Sequence, residues 1–242
     1  RQGLNLSNPP ITLLEECTFI APSANELGED VVRKSQAYQT IISESAINAG
    51  IPEALLKAVI TQESGFDPDA VSPTGPVGIM QFEKATAESQ GLVVNEQVDE
   101  RTIPEKAIPA GAEYLASFYE KYNGNIVATL ISYNAGDSIT TKASTKCGTL
   151  TLDNYAGCME EPILEYYSQE RFTEKFGRDF PDNKLEETTN YVTKISDYFF
   201  WWGGVIGRSA SFGSYYEVNP YTEQEIDFNP EIFDYVQDFA DV

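Results

Sequence analysis

The chain has 242 residues, 41% of them hydrophobic and 12% aromatic, enough apolar material for one large core and too much for a disordered chain. It contains no histidine, which excludes Ser-His-Asp and Cys-His catalysis and His-based zinc sites and leaves carboxylates as the natural acid–base groups. A net charge of −22 argues against a nucleic-acid partner, because phosphate contacts need clustered Lys and Arg.

In chain order, residues 1 to 30 scatter Pro, Asn and Ser around one apolar patch, Ile11 to Leu14, and read as an extended arm. No signal peptide is visible and the first residue is Arg1, which reads as a processed or trimmed piece. Asp30 is placed to cap a helix whose apolar face is Tyr38, Ile41, Ile42, Ala46 and Ala49, with Gly50 as its stop. A second helix follows at once, with Pro52 at its first position, an i,i+4 pair of Glu53 and Lys57, and a stripe of Leu55, Leu56, Val59 and Ile60. The two should pack as a hairpin. One turn beyond the stripe comes Glu63, and Ser64-Gly65 then breaks the helix. A carboxylate is thereby carried to the rim of an apolar core, where partial desolvation raises its pKa. A loop rich in Pro, Gly, Ser and Asp returns to Gly78-Ile79-Met80-Gln81, and a cleft holding a protonated carboxylic acid is equipment for breaking a glycosidic bond.

Glu83 to Gln90 begins another helix, ended by Gly91, and the run to Pro104 is polar and irregular. Ile108 to Tyr122 is helical and closes at Asn123-Gly124; Asn125 caps the next helix, which buries Ile126, Val127, Leu130, Ile131 and Tyr133. The segment 137 to 182 has no clear period and reads as a loop followed by a helix over Pro162 to Phe176. Leu185, Thr188, Val192, Ile195 and Phe199 mark the last core helix, and the most apolar run, Tyr198 to Gly207, is far short of the roughly 20 residues of a membrane span. No basic residue follows Arg208; in that acidic tail, Ile232, Phe233, Val236 and Phe239 suit a short amphipathic turn that docks on its own domain or on a partner.

Four blocks in order carry a family resemblance: Glu63-Ser64, Ser72-Pro73-Thr74-Gly75 with Gly78-Ile79-Met80-Gln81, Ser132-Tyr133-Asn134-Ala135-Gly136, and Glu187-Thr188-Thr189-Asn190-Tyr191-Val192. Together they resemble the successive motifs of the soluble lytic transglycosylase (SLT) catalytic domain, in the lysozyme-like superfamily. The resemblance implies a mainly helical, lysozyme-like domain with a cleft and little or no sheet, over residues 31 to 207, with an inserted segment at 137 to 182, an arm at 1 to 30 and an acidic tail at 208 to 242. It implies peptidoglycan glycan strands as substrate, an extracytoplasmic setting, no cofactor and no metal, with an envelope-spanning machine or a virion as a further partner class. Its motif positions make Glu63 the catalytic acid/base and Ser72, Gln81, Tyr133, Asn134, Glu187 and Tyr191 the substrate-binding set, Tyr191 holding the Glu63 carboxyl neutral and Asn134 touching a sugar acetamido group.

Two departures stand out: Glu83-Lys84 where the family has an apolar residue and then Pro, and the long segment from Asp137 to Pro181. Glu83 is near enough to Gln81 to raise the alternative of a positioned water, and hence of a muramidase that hydrolyses the bond with help from Glu83, Asp67 or Asp69. A glycan-binding component of slight turnover is the third reading. Cys147 and Cys158 are close enough for a disulfide that clips the inserted segment, the alternative being buried free thiols; the implied extracytoplasmic substrate favours the disulfide, with Cys17 left over.

Overall fold

A computed structural model of the chain describes residues 28–166 and 184–204. The acidic tail, most of the helix expected at 162 to 176 and all but the last three residues of the arm lie outside these residues. Nine α-helices are found among the described residues: α1 (Glu29–Gln36), α2 (Gln39–Ala49), α3 (Glu53–Ser64), α4 (Lys84–Ser89), α5 (Pro104–Lys121), α6 (Ile126–Ala135), α7 (Asp137–Cys147), α8 (Tyr155–Tyr166) and α9 (Lys184–Trp201). A single 3-10 turn, Glu100–Thr102, interrupts the irregular run before α5, and β pairing among these residues is confined to isolated bridges such as Val71 with Val77. The expected mainly helical fold is present.

At the centre lies α3. Every residue from Ala54 to Thr61 is buried, so the apolar stripe read from the sequence is one side of a helix enclosed all round, by α2, α5 and α9. The Glu53–Lys57 pair is correspondingly an interior one. Lys57 Nζ lies 2.6 Å from Glu53 Oε1 and 5.1 Å from the centre of the Trp202 ring, while Gln39 and Ser43 of α2 donate to the same carboxylate. A buried charge is tolerated only with such partners. Trp202 also donates from Nε1 to Thr61 Oγ1 at 3.0 Å, which ties the end of α9 to α3.

Local expectations hold in part, with five corrections along the chain. Asn125 caps α6, its side chain accepting from the Ala128 N–H at 2.9 Å. The single helix expected from Asp30 to Ala49 is two, parted at Ala37–Tyr38, where the Ser35 hydroxyl turns back onto the Val32 carbonyl at 2.7 Å; Asp30 sits in the first turn and pairs with Arg33 and Lys34 instead of capping. Pro52 is the cap of α3 and not its first helical residue. The start of segment 137–182 is a helix, α7, and not a loop: its buried face is Ile139, Thr140 and Ala143, and the polar Thr140 hides the period. That threonine is buried because Ser132 donates to its Oγ1 at 2.8 Å. Finally, Pro162 lies inside α8, whose start is set upstream by the turn in which Asn154 Oδ1 accepts from the Thr151 N–H.

Cys147 and Cys158 form a disulfide that joins the end of α7 to α8. Tyr155 of α8 in turn donates to the Thr189 carbonyl of α9 at 3.0 Å, so the cross-link braces the helix that carries the last motif. Reduction should cost roughly 2–4 kcal/mol of stability, the usual worth of closing a loop of this size. A urea midpoint lowered by reductant in the wild type, and unmoved by it in Cys147→Ser, checks this.

Candidate active site

Four segments converge on Glu63: the end of α3, the loop 65–83, the end of α6 and the first half of α9. Gly65 ends α3 in the left-handed region, φ 58°, which turns the chain away directly after Glu63-Ser64. Ser64 then pins the returning loop, its hydroxyl donating to the Ile79 carbonyl at 2.9 Å. The loop is knitted further by the Gly78 N–H on the Ala70 carbonyl at 2.8 Å and by the side-chain NH2 of Gln81, which donates to the carbonyls of Ala70 at 3.0 Å and Gly78 at 2.8 Å. With both amide hydrogens committed, the Gln81 side chain is fixed in place and its oxygen is the remaining polar atom. Its φ of 49° is a conformation that non-glycine residues seldom adopt, and those two hydrogen bonds hold it there.

Glu63 keeps an accessible face yet is densely enclosed. Desolvation is the largest influence on its carboxyl and raises the pKa from the ordinary 4.5 to about 7. Two smaller influences oppose this: a hydrogen bond from the Tyr191 hydroxyl to Oε1 at 2.5 Å, and the positive charge of Lys184. The expected contact between Tyr191 and Glu63 is present, and a hydroxyl that donates to the carboxyl works against the rise that burial causes.

Tyr133 is enclosed beside the same carboxyl, donates to the Met80 carbonyl at 3.0 Å and packs against Tyr114 at 5.3 Å between ring centres. Burial pushes the hydroxyls of both Tyr133 and Tyr191 well above the usual tyrosine range, so both act as donors and not as phenolates. Asn134 Oδ1 accepts from Thr188 Oγ1 at 2.9 Å and from Lys184 Nζ at 3.4 Å. Lys184 also pairs with Glu187 at 2.7 Å; Glu187 thus lies at the start of α9 with its carboxylate half-exposed. Met80 is fully buried, as expected of a core residue.

Two positions sit apart from this cluster. Ser72 contacts Thr74 within its own loop, with 2.9 Å between the hydroxyl oxygens. Glu83 is the exposed residue before α4, and its charge acts on Tyr114, not on Glu63. The glycines also divide. Gly75 stands at a turn with open space around it, whereas Gly78 closely approaches the backbone of Arg101: a Cβ at Gly78 would lie 1.8 Å from the Arg101 carbonyl oxygen. Thr188, Lys184 and Ser64 are members of the cluster to which sequence reasoning gave no part in the site. Thr188 and Ser64 stand inside quoted motifs, but nothing in the sequence marks Lys184.

Residues 40–155 match the family model described as the transglycosylase SLT domain. The peptidoglycan transglycosylase gp16 of Escherichia phage T7 is 34% identical over 161 residues, which cover 66% of this chain and 10% of that protein. A membrane-bound lytic murein transglycosylase F of Alkalilimnicola ehrlichii is 39% identical over 105 residues, 41% of this chain and 22% of that one. Among solved structures, an inactive mutant of lytic transglycosylase Slt from Pseudomonas aeruginosa superposes with a TM-score of 0.53 at 23% identity, covering 71% of this chain and 25% of that one. The 70-kDa soluble lytic transglycosylase of Escherichia coli does so with a TM-score of 0.52 at 20% identity, over 68% and 24%. This chain therefore matches between a tenth and a quarter of the length of each of these proteins. The structural likeness carries the fold, and the family match identifies residues 40–155 of this chain as a transglycosylase SLT domain.

Proposed function

We propose that the chain is a peptidoglycan lytic transglycosylase that cleaves the β-1,4 bond between N-acetylmuramic acid and N-acetylglucosamine without water, with Glu63 as both acid and base. The carrying observation is a carboxyl group raised to about 7 by burial at the mouth of a loop, in contact with a tyrosine donor. Neutral Glu63 gives its proton to the bridging oxygen while the bond to C1 of the muramic residue breaks and C1 gains oxocarbenium character. The Glu63 carboxylate then takes the proton of that sugar's 6-hydroxyl, whose oxygen closes on C1. The products are a 1,6-anhydro end and a free 4-hydroxyl, and Glu63 is protonated again.

Because the nucleophile is tethered in the substrate, a second working carboxylate is unnecessary, unlike in ordinary two-carboxylate glycosidases. The surroundings of Glu63 support this reading over hydrolysis. Among the described residues the charge acting on it is the cation Lys184, while Asp67 is turned into its own loop, accepting from the Asp69 N–H at 2.9 Å. Tyr191 fits the same scheme as the donor that stabilises the carboxylate formed after the first transfer. By motif position, Asn134 receives an acetamido group, Tyr133, Gln81 and Ser72 shape the cleft wall, and Glu187 faces the peptide stem. We assign this activity to a domain over residues 31–207. The disulfide supports an oxidising, extracytoplasmic setting, and the phage and membrane-bound relatives support a virion or an envelope assembly as its context.

Mass spectrometry of purified sacculi digested with the protein tests the reaction: 1,6-anhydro ends are expected, and ends heavier by one water would establish the muramidase instead. Tyr191→Phe tests the sense of its hydrogen bond. Loss of a donor to the carboxylate should move the alkaline limb of the pH–rate profile to higher pH and lower kcat; a limb moved to lower pH contradicts the assignment.

A further inference from the structure

We propose that Lys184 is a positioning residue for this reaction: with Thr188 it occupies the side-chain oxygen of Asn134, so that Asn134 meets the substrate as a donor only, and its ammonium supplies fixed positive charge to the Glu63 carboxylate formed in mid-reaction. The inference rests on the transglycosylase reading of the site and concerns a residue outside every motif that identifies the family.

The geometry is specific about the amide. An ammonium group has donors and no acceptor, so the Asn134 atom facing Lys184 Nζ at 3.4 Å is its oxygen. The Thr188 hydroxyl, on a fully buried residue, donates to the same oxygen at 2.9 Å. Two donors fill the two lone pairs of that oxygen. The NH2 group, which has no partner among the described residues, is what remains for a ligand. It suits a carbonyl or carboxylate oxygen and rejects a hydroxyl offered as donor.

Lys184 is well held for this work. Its side chain is 12% exposed and its ammonium is anchored at 2.7 Å by Glu187, one turn along α9. Among the described residues, the groups that act on or respond to Glu63 are Tyr191 and Lys184 from α9 and Tyr133 from α6. Both tyrosines are neutral, so Lys184 is the charge on this side of the carboxyl, and it favours the ionised form against the larger influence of burial. Glu187 is paired with that ammonium at 2.7 Å, so removal of its charge should strengthen the action of Lys184 on Glu63.

The test separates this inference from the function it builds on. The Glu63 carboxyl is titrated by 13C NMR in the full chain, a readout that needs no turnover, and KM and kcat on purified sacculi are measured in parallel. Lys184→Met should raise the Glu63 midpoint, Glu187→Gln should lower it, and Lys184→Arg should restore the wild-type value. In the activity assay Lys184→Met should raise KM roughly tenfold, the size of one misplaced hydrogen bond. An unmoved midpoint in Lys184→Met, or shifts of the same sign in the Lys184 and Glu187 variants, would overturn the proposal. Wild-type protein that leaves sacculi intact would overturn the reading of function, whatever the titration shows. Circular dichroism of each variant confirms that the helices are retained, and Lys184→Gln replaces Lys184→Met should the latter fail to fold.

Discussion

Glu63→Gln is expected to lower the rate on sacculi by roughly 10²–10⁴-fold, the contribution of a well-placed general acid, while leaving the helices intact. The amide keeps the shape of the carboxyl and can still accept from Tyr191, but it has no proton of suitable acidity to give and cannot reclaim one. The same substitution carries a signature in stability. The folded Glu63 pKa, about 7, lies above the ordinary 4.5, so the folded state binds its proton more tightly than the unfolded chain does. The stabilisation this gives is complete below pH about 4.5 and is lost as pH rises through about 7, where a charge must be kept in a poorly solvated place. Glu63→Gln has no such charge. Its thermal midpoint should therefore gain on wild type as pH rises across that window. A variant that loses activity together with its cooperative melting transition would show the residue to be structural instead.

The second large effect is expected at Gly78→Ala, which touches no reacting group. A Cβ there would lie 1.8 Å from the Arg101 carbonyl oxygen and 2.6 Å from its carbon, and the glycine has φ 83°, a region costly for any residue with a Cβ. Arg101 has little room to yield. Its guanidinium is held by both oxygens of Asp99, at 2.9 and 2.7 Å, and donates to the Phe82 carbonyl at 3.1 Å. Overpacking and backbone strain together should cost about 2–5 kcal/mol. Because the Gly78 N–H and carbonyl help to knit the loop beside Glu63, activity should fall with stability. Denaturant unfolding and sacculus clearance, measured on the same sample, check both. A variant of wild-type stability would mean that the loop and the 3-10 turn are not in contact in solution.

How far the sequence could be read depended on whether a residue's role was local. The break at Gly65, the cap at Asn125 and the stop at Gly50 are chemistry within one turn of chain, and each stands where the letters place it. Glu63 was legible for a similar reason, since four residues of apolar stripe and a Ser-Gly break fix its place on the rim. The α7 helix was not, because its burial depends on Thr140 finding Ser132 on another helix, and a threonine gives no apolar signal. That the Glu53–Lys57 pair is an interior one was not legible, because nothing in the sequence signals that Trp202 covers Lys57 from the far end of the domain. The role of Tyr191 came from the resemblance and not from any pattern in the residues, since its meeting with Glu63 joins residues 128 positions apart. Lys184 lies outside every pattern, as its importance arises only where α9 crosses α6 beside Asn134.

The proposed chemistry needs Glu63 to be a carboxyl group that burial keeps protonated at the pH where it must donate. Its titration in the wild-type protein, followed by 13C NMR and set beside the pH dependence of kcat/KM, tests that most directly. A single midpoint near 7, shared by the resonance and by the alkaline limb of the rate profile, is the predicted result. A Glu63 resonance that titrates near 4.5, as an ordinary exposed glutamate does, would contradict it.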